Sequence, residues 1–114
     1  MAKAFGIQVY EILHSGCLNG VYANIKSNNE VCNEVSKKKL FQSINIINPA
    51  NDPIIGDYDC FYFEGNNRQN CDLEIRIGNS SHYDFKWLDL NNTQTIFTGE
   101  GWKINEHQIV IQYR

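Results

Sequence analysis

The sequence predicts an all-β protein: a single-domain antiparallel meander of about eight strands over residues 1–114, closing as an up-and-down barrel, with a β-sandwich as the alternative. Two observations carry this. The first is strict alternation in the C-terminal half. Cys71, Leu73, Ile75 and Ile77 alternate with Asp72, Glu74, Arg76 and Gly78, and Tyr83, Phe85 and Trp87 alternate with Asp84 and Lys86. Ile109, Ile111 and Tyr113 repeat the pattern. Side chains on a strand point to opposite faces with period two, so each run has one face for a core and one for water. The second is punctuation: Asn-, Gly- and Ser-rich turns recur at intervals of roughly 10 to 13 residues, without linker or repeat.

Taken in order, Phe5 to Leu13 reads as the first strand, with Phe5, Ile7 and Val9 alternating with Gly6 and Gln8. His14-Ser15-Gly16 ends it. Leu18 to Ile25 is the second, and Gly20 inside it marks a bulge or a close backbone approach. Lys26-Ser27-Asn28-Asn29 is a turn. From Val31 to Leu40 a short helix competes with extended chain. The extended reading is preferred over Val31–Val35 and again over Leu40–Ile47. Asn48-Pro49-Ala50-Asn51-Asp52-Pro53 is a loop holding both prolines.

Gly56-Asp57-Tyr58 opens a strand that runs to Glu64. A two-residue hairpin loop at Gly65-Asn66 sets Glu64 opposite Asn67, Cys60 opposite Cys71 and Tyr58 opposite Leu73. Cross-strand neighbours at that spacing are within disulfide reach. The remaining strands are Leu73–Ile77, Tyr83–Leu90, Thr95–Ile104 and Gln108–Tyr113. They are separated by Asn79-Ser80-Ser81, Asn91-Asn92-Thr93-Gln94 and Asn105-Glu106-His107.

Composition narrows the function. At 114 residues and 42% hydrophobic content, the chain suits one domain with one core. A net charge of −3 disfavours nucleic acid and anionic membrane as partners. No apolar run approaches the roughly 18 residues that span a bilayer. Lys37-Lys38-Lys39 reads as a solvated strand end or an edge guard. The N-terminus lacks a signal-peptide core, so a cytoplasmic location is expected, with secretion or a periplasmic location after removal of a leader as the alternative. Cys17, Cys32, Cys60 and Cys71 contain no Cys-x-x-Cys pair. His14, His82 and His107 fall at turns without a second metal-type ligand nearby. No metal and no cofactor is therefore expected. The pairs Asp57/Asp59 and Asp72/Glu74 read as water-facing strand positions, and no nucleophile motif is present, so no catalysis is expected.

One local resemblance appears. Leu18-Asn19-Gly20-Val21-Tyr22-Ala23-Asn24 resembles the opening strand of avidins, with Tyr22 where that family has tryptophan. Tyr83–Trp87 followed by Thr95-Ile96-Phe97-Thr98-Gly99 resembles their central hairpin. The resemblance implies a calycin-like barrel in which Asn24, Trp87, Thr95 and Phe97 line a cavity. Too few residues follow the match for the remaining avidin strands, and a whole strand precedes it, so biotin binding is not implied.

The expected inward face carries Tyr58, Tyr62, Tyr83, Phe85, Trp87 and Trp102. Such a face, joined by Asn24, Thr95 and Phe97, would hold a small apolar or aromatic ligand without chemistry, tyrosine hydroxyls setting its orientation. A filled core would leave function to an outer face that engages a protein partner. Phe61 and Phe63, expected to point outward, motivate that second reading.

Overall fold

Each strand pairs with the next in sequence, and the last pairs with the first. The computed structural model describes residues 6–13, 16–24, 30–64, 66–79, 82–91 and 94–113, apart from the side chains of Asn24 and Glu64. Eight antiparallel strands form a closed barrel: β1 (Gly6–Ile12), β2 (Cys17–Asn24), β3 (Cys32–Lys38), β4 (Gly56–Glu64), β5 (Asn67–Ile77), β6 (Tyr83–Leu88), β7 (Thr95–Asn105) and β8 (Gln108–Tyr113). No α-helix occurs among the described residues. The barrel, not the sandwich, is therefore the architecture, and a closed sheet leaves no edge strand to protect. The expected turns at His14-Ser15 and Lys26–Asn29 lie outside the described residues, as do Ser80, Ser81, Asn92 and Thr93 of the later turns.

The β4–β5 register is the one expected: Glu64 faces Asn67, Cys60 faces Cys71 and Tyr58 faces Leu73. All four cysteines are free thiols. Cys60 and Cys71 are buried and Cys17 and Cys32 half-buried. A hydrogen bond with Cys71, together with burial, pushes the Cys60 thiol far above its ordinary range. Because the thiolate is the reactive form, a thiol-specific reagent should modify only Cys17 and Cys32 in the native protein and all four after unfolding. Rapid native labelling of Cys60 would contradict this packing.

Three expectations are corrected. β1 turns the other way: Gln8 and Tyr10 are buried and Ile7 is exposed. Apolar content alone pointed to Ile7 and Val9, but the register with β2 and β8 brings Tyr10 onto the face of Gly20 and Ile109. The segment from Leu40 to Ile47 is not a strand. The barrel closes without it, so it has no partner strand, and it forms an irregular connection between β3 and β4. The lysine cluster does sit at the end of β3, with Lys37 exposed, but it guards no edge. Lys39 Nζ bridges Asp72 at 2.8 Å and Asp59 at 3.6 Å, and Lys38 Nζ donates to the Pro53 carbonyl.

That long connection also seals one mouth of the barrel. Asn48 brackets Asp52 through its side-chain amide and carbonyl, and Asn51 adopts a positive φ of 54°, tolerable for asparagine. The turn delivers Ile54 into the core. Tyr58 Oη donates to the Ile54 carbonyl and Tyr83 Oη to Asp52 Oδ2.

Candidate functional site

Inside the barrel, most of the expected aromatic face is present and packed against itself. Tyr58, Phe85 and Trp87 are buried, and Tyr62, Tyr83 and Phe97 are partly buried against the same cluster. Ring centroids run from Tyr10 to Phe85 at 6.1 Å, Phe85 to Trp87 at 5.9 Å, Trp87 to Tyr113 at 5.7 Å and Tyr113 to Phe97 at 5.4 Å. These are contact distances for aromatic pairs, so the rings fill space between one another. The hydroxyls expected to orient a ligand are engaged. Those of Tyr58 and Tyr83 hold the sealing connection, and Tyr22 Oη donates to the Phe63 carbonyl.

Two expected lining residues are elsewhere. Trp102 points outward and is 40% exposed. Its register partner is Val110, while its neighbour Gly101 pairs with inward Ile111. The inward positions of β7 at this level are Gly99 and Gly101, because the interior there is already filled. A Cβ on Gly101 would come within 2.6 Å of the Phe85 ring. The Gly-x-Gly spacing of Gly99 and Gly101 is the sequence signal of this filled interior. Thr95 is exposed, beyond the register shift at Trp87/Leu88. The side chain of Asn24 lies outside the described residues.

Sequence reasoning missed the polar centre of the core. Glu34, Gln8 and Ser36 are buried inside the barrel. The Glu34 carboxyl accepts hydrogen bonds from Tyr10 Oη and, at 3.2 Å, from Trp87 Nε1. Burial pushes its pKa up to about 7, although Trp87, Gln8, Cys60 and Ser36 all turn hydrogen-bonding groups that lower it. Gln8 Nε2 and Ser36 Oγ complete no hydrogen bond of good geometry within the described protein. The only signal for Glu34 is register: it faces Tyr62, and Ser36 faces Cys60, so an inward β4 face makes these β3 residues inward too.

Gly20 makes the Tyr10–Glu34 bond possible. It lies between those two residues in one cross-strand row, opposite Tyr10 on one side and Glu34 on the other. Without a Cβ there, the tyrosine ring can lie over β2. A Cβ would stand 2.8 Å from Tyr10 Cδ1 and 2.7 Å from Gln8 Nε2. The close approach expected at Gly20 is real. Gly20→Ala should cost about 1–3 kcal/mol in urea unfolding, the usual range for overpacking. An unchanged midpoint would mean the ring is free to move aside.

The outer surface differs from expectation in three places. Asp57 and Asp72 face outward but are covered rather than water-facing. Lys39 lies on Asp72; Ser43 and Arg76 cover Asp57. Burial raises the Asp57 pKa, but hydrogen bonds from Ser43 and Arg76 outweigh it and leave the carboxyl below its usual range. His82 is not a solvated turn residue, since it contacts Asp84 at 3.1 Å and packs on Trp102. Phe61 and Phe63 do point outward, but they pack edge-on against each other, with the Arg68 guanidinium 4.0 Å over Phe61.

Exposed apolar side chains are concentrated on the outer part of the β3–β4 connection. Leu40 is 88% exposed, Phe41 86%, Ile44 96% and Ile47 69%. Their backbone is nevertheless anchored. Gln42 Nε2 donates to the carbonyls of Lys39 and Asp57, Gln42 Oε1 accepts from the Asp57 amide, and Ser43 bonds Asp57 Oδ2 through both N and Oγ. With Gln42 and Ser43 fixed, Phe41 and Ile44 on either side are held out in water. Strand direction brings exposed Leu13, Ile77 and Ile104 to the same mouth. A separate groove of about 550 Å³ crosses the outer face of β5 to β8. No group of three or more metal-type ligands exists among the described residues. No family model matches the chain, and no curated protein or solved structure matches it either.

Proposed function

We propose that this barrel is a non-catalytic docking protein that presents Leu40, Phe41, Ile44 and Ile47 to an apolar groove on a partner protein. One observation carries the reading: four large apolar side chains, mostly in water, on a connection pinned at its base by Gln42, Ser43 and Asp57. Single exposed apolar residues are ordinary, but a concentrated set marks an interaction surface. Anchoring matters because a preordered loop loses little conformational entropy when it binds. The aromatic packing of the interior supports the same reading, since it leaves the outer surface to carry function.

The test is affinity capture from the source cell, comparing wild type with Phe41→Asp/Ile44→Asp, followed by binding of the identified partner as purified protein. The expected result is a partner whose affinity falls by about a hundredfold in the variant, as for interface hot spots, with the circular dichroism spectrum unchanged. A partner bound equally by both proteins would overturn the proposal.

Binding of a small apolar or aromatic ligand in a calycin-like interior is the second reading. It is favoured by the unsatisfied Gln8 Nε2 and Ser36 Oγ beside Glu34, which a ligand's polar atom would complete. Native mass spectrometry of the protein from its own source tests it through retained mass. The facing but unbridged thiols of Cys60 and Cys71 favour a reducing compartment such as the cytoplasm.

A further inference from the structure

Strand β7 has glycine at two successive inward positions, and this shapes the opposite face. A Cβ on Gly99 would stand 2.8 Å from the Gln112 carbonyl oxygen and 3.0 Å from Tyr113 Cβ. One on Gly101 would collide with Phe85. The wall here therefore lies closer to the core than any side chain would permit. Glycines of this kind bend a sheet. The groove of about 550 Å³ lies over this stretch, with Gly99 among its lining residues, and its volume is that of a small-ligand site.

The walls are chemically mixed. Two cross-strand rows cross the groove, Glu74–Lys86–Thr98 and Asp84–Glu100–Gln112. They offer carboxylates, an ammonium, a hydroxyl and an amide within two residues of one another. Glu74 faces Lys86 and Arg76 faces Asp84, while Asp84 and Glu100 lie side by side as two carboxylates, so a strong anion is not selected. A ligand whose groups each donate and accept fits such a surface, and a hydroxyl does both. Among the described residues, no protein group engages the side chains of Lys86, Thr98, Glu100 or Gln112, so they remain available to a ligand.

An aromatic side chain stands one row further along β7, just outside the groove's lining. Trp102 is the next outward residue on β7 after Glu100, is partly exposed, and is steadied by His82 with ring centroids 5.7 Å apart. An indole held in this way offers a broad apolar face with little entropy left to lose. The C–H face of a pyranose is apolar while its rim is hydroxylated. It would stack on the indole and direct its hydroxyls into the mixed row.

We infer that the outer groove over β7 binds a neutral oligosaccharide that extends to Trp102, one row beyond the groove's lining, as stacking platform, with Glu100 and Gln112 as hydrogen-bonding partners. The site is distinct from the docking surface at the sealed mouth, so either can fail alone. The test is a glycan array probed with the folded wild-type protein, Trp102→Ala and Glu100→Gln, followed by amide NMR titration of any glycan bound. Wild type should bind a neutral glycan whose addition shifts the resonances of Thr98, Glu100, Trp102 and Gln112. Both variants should bind it about tenfold or more weakly, while retaining wild-type amide spectra outside the groove. The inference is overturned if no neutral glycan binds, if shifts centre on Leu40–Ile47, or if Trp102→Ala binds as tightly as wild type.

Discussion

Replacing Trp87 with alanine should cost about 3–5 kcal/mol in equilibrium denaturation, the usual range for emptying a buried aromatic site. The indole touches Phe85 and Tyr113 and donates to Glu34, so its removal does two kinds of damage. It leaves a void among rings that cannot all move in to fill it. It also deprives a buried carboxyl of a donor, which adds a desolvation cost. A loss below about 1.5 kcal/mol would mean that the ring ladder is loose and that an internal cup is open after all. The measurement therefore also separates the packed interior from the ligand-holding one.

Glu34→Gln should remove a pH dependence from folding. Burial raises the Glu34 pKa from 4.5 to about 7, so the folded chain holds this proton more tightly than the unfolded chain does. The stability linked to that proton is complete below about pH 4.5. It falls as pH rises and is gone above about pH 7, a total of about 3 kcal/mol from the linkage relation. Glutamine cannot ionise and can still accept from Trp87 and Tyr10. The variant should thus become more stable than wild type by an increasing margin from pH 4.5 to 7. Asp57 works in the opposite sense, because its depressed pKa gives stability that is lost on acidification. It is common to both proteins and cancels in the difference. Superimposable stability profiles for wild type and Glu34→Gln would refute the buried, proton-holding carboxyl.

Strand order and the β4–β5 register were legible because they rest on local signals: alternation, and a hairpin loop that fixes which residues face each other. The direction of β1 was not, because one residue of phase exchanges its two faces, and only the pairing with β2 and β8 chooses between them. Glu34 was hidden for the same reason. Cys32, Glu34 and Ser36 are an unpromising inward set by composition, and nothing short of the β3–β4 register reveals them. Trp102 shows the converse. An aromatic residue was expected inside, whereas the space inside was taken by Phe85 and the backbone of two glycines. The apolar segment Leu40–Ile47 reads as a strand, because apolar runs are usually buried. A closed barrel has nowhere to add it, so its apolar side chains stay in water.

The seam between β1 and β8 has a practical consequence. Gly6 pairs with Tyr113, so the first and last described strand residues lie side by side at one mouth. The connection bearing Phe41 and Ile44 crowns the other mouth, beyond the far ends of β1 and β3. Gly6 and Tyr113 therefore lie about a strand length away from the crown, roughly 20 Å for a strand of this size. A contact made at the Gly6–Tyr113 end of the seam would thus leave the apolar tip, at the opposite mouth, uncovered.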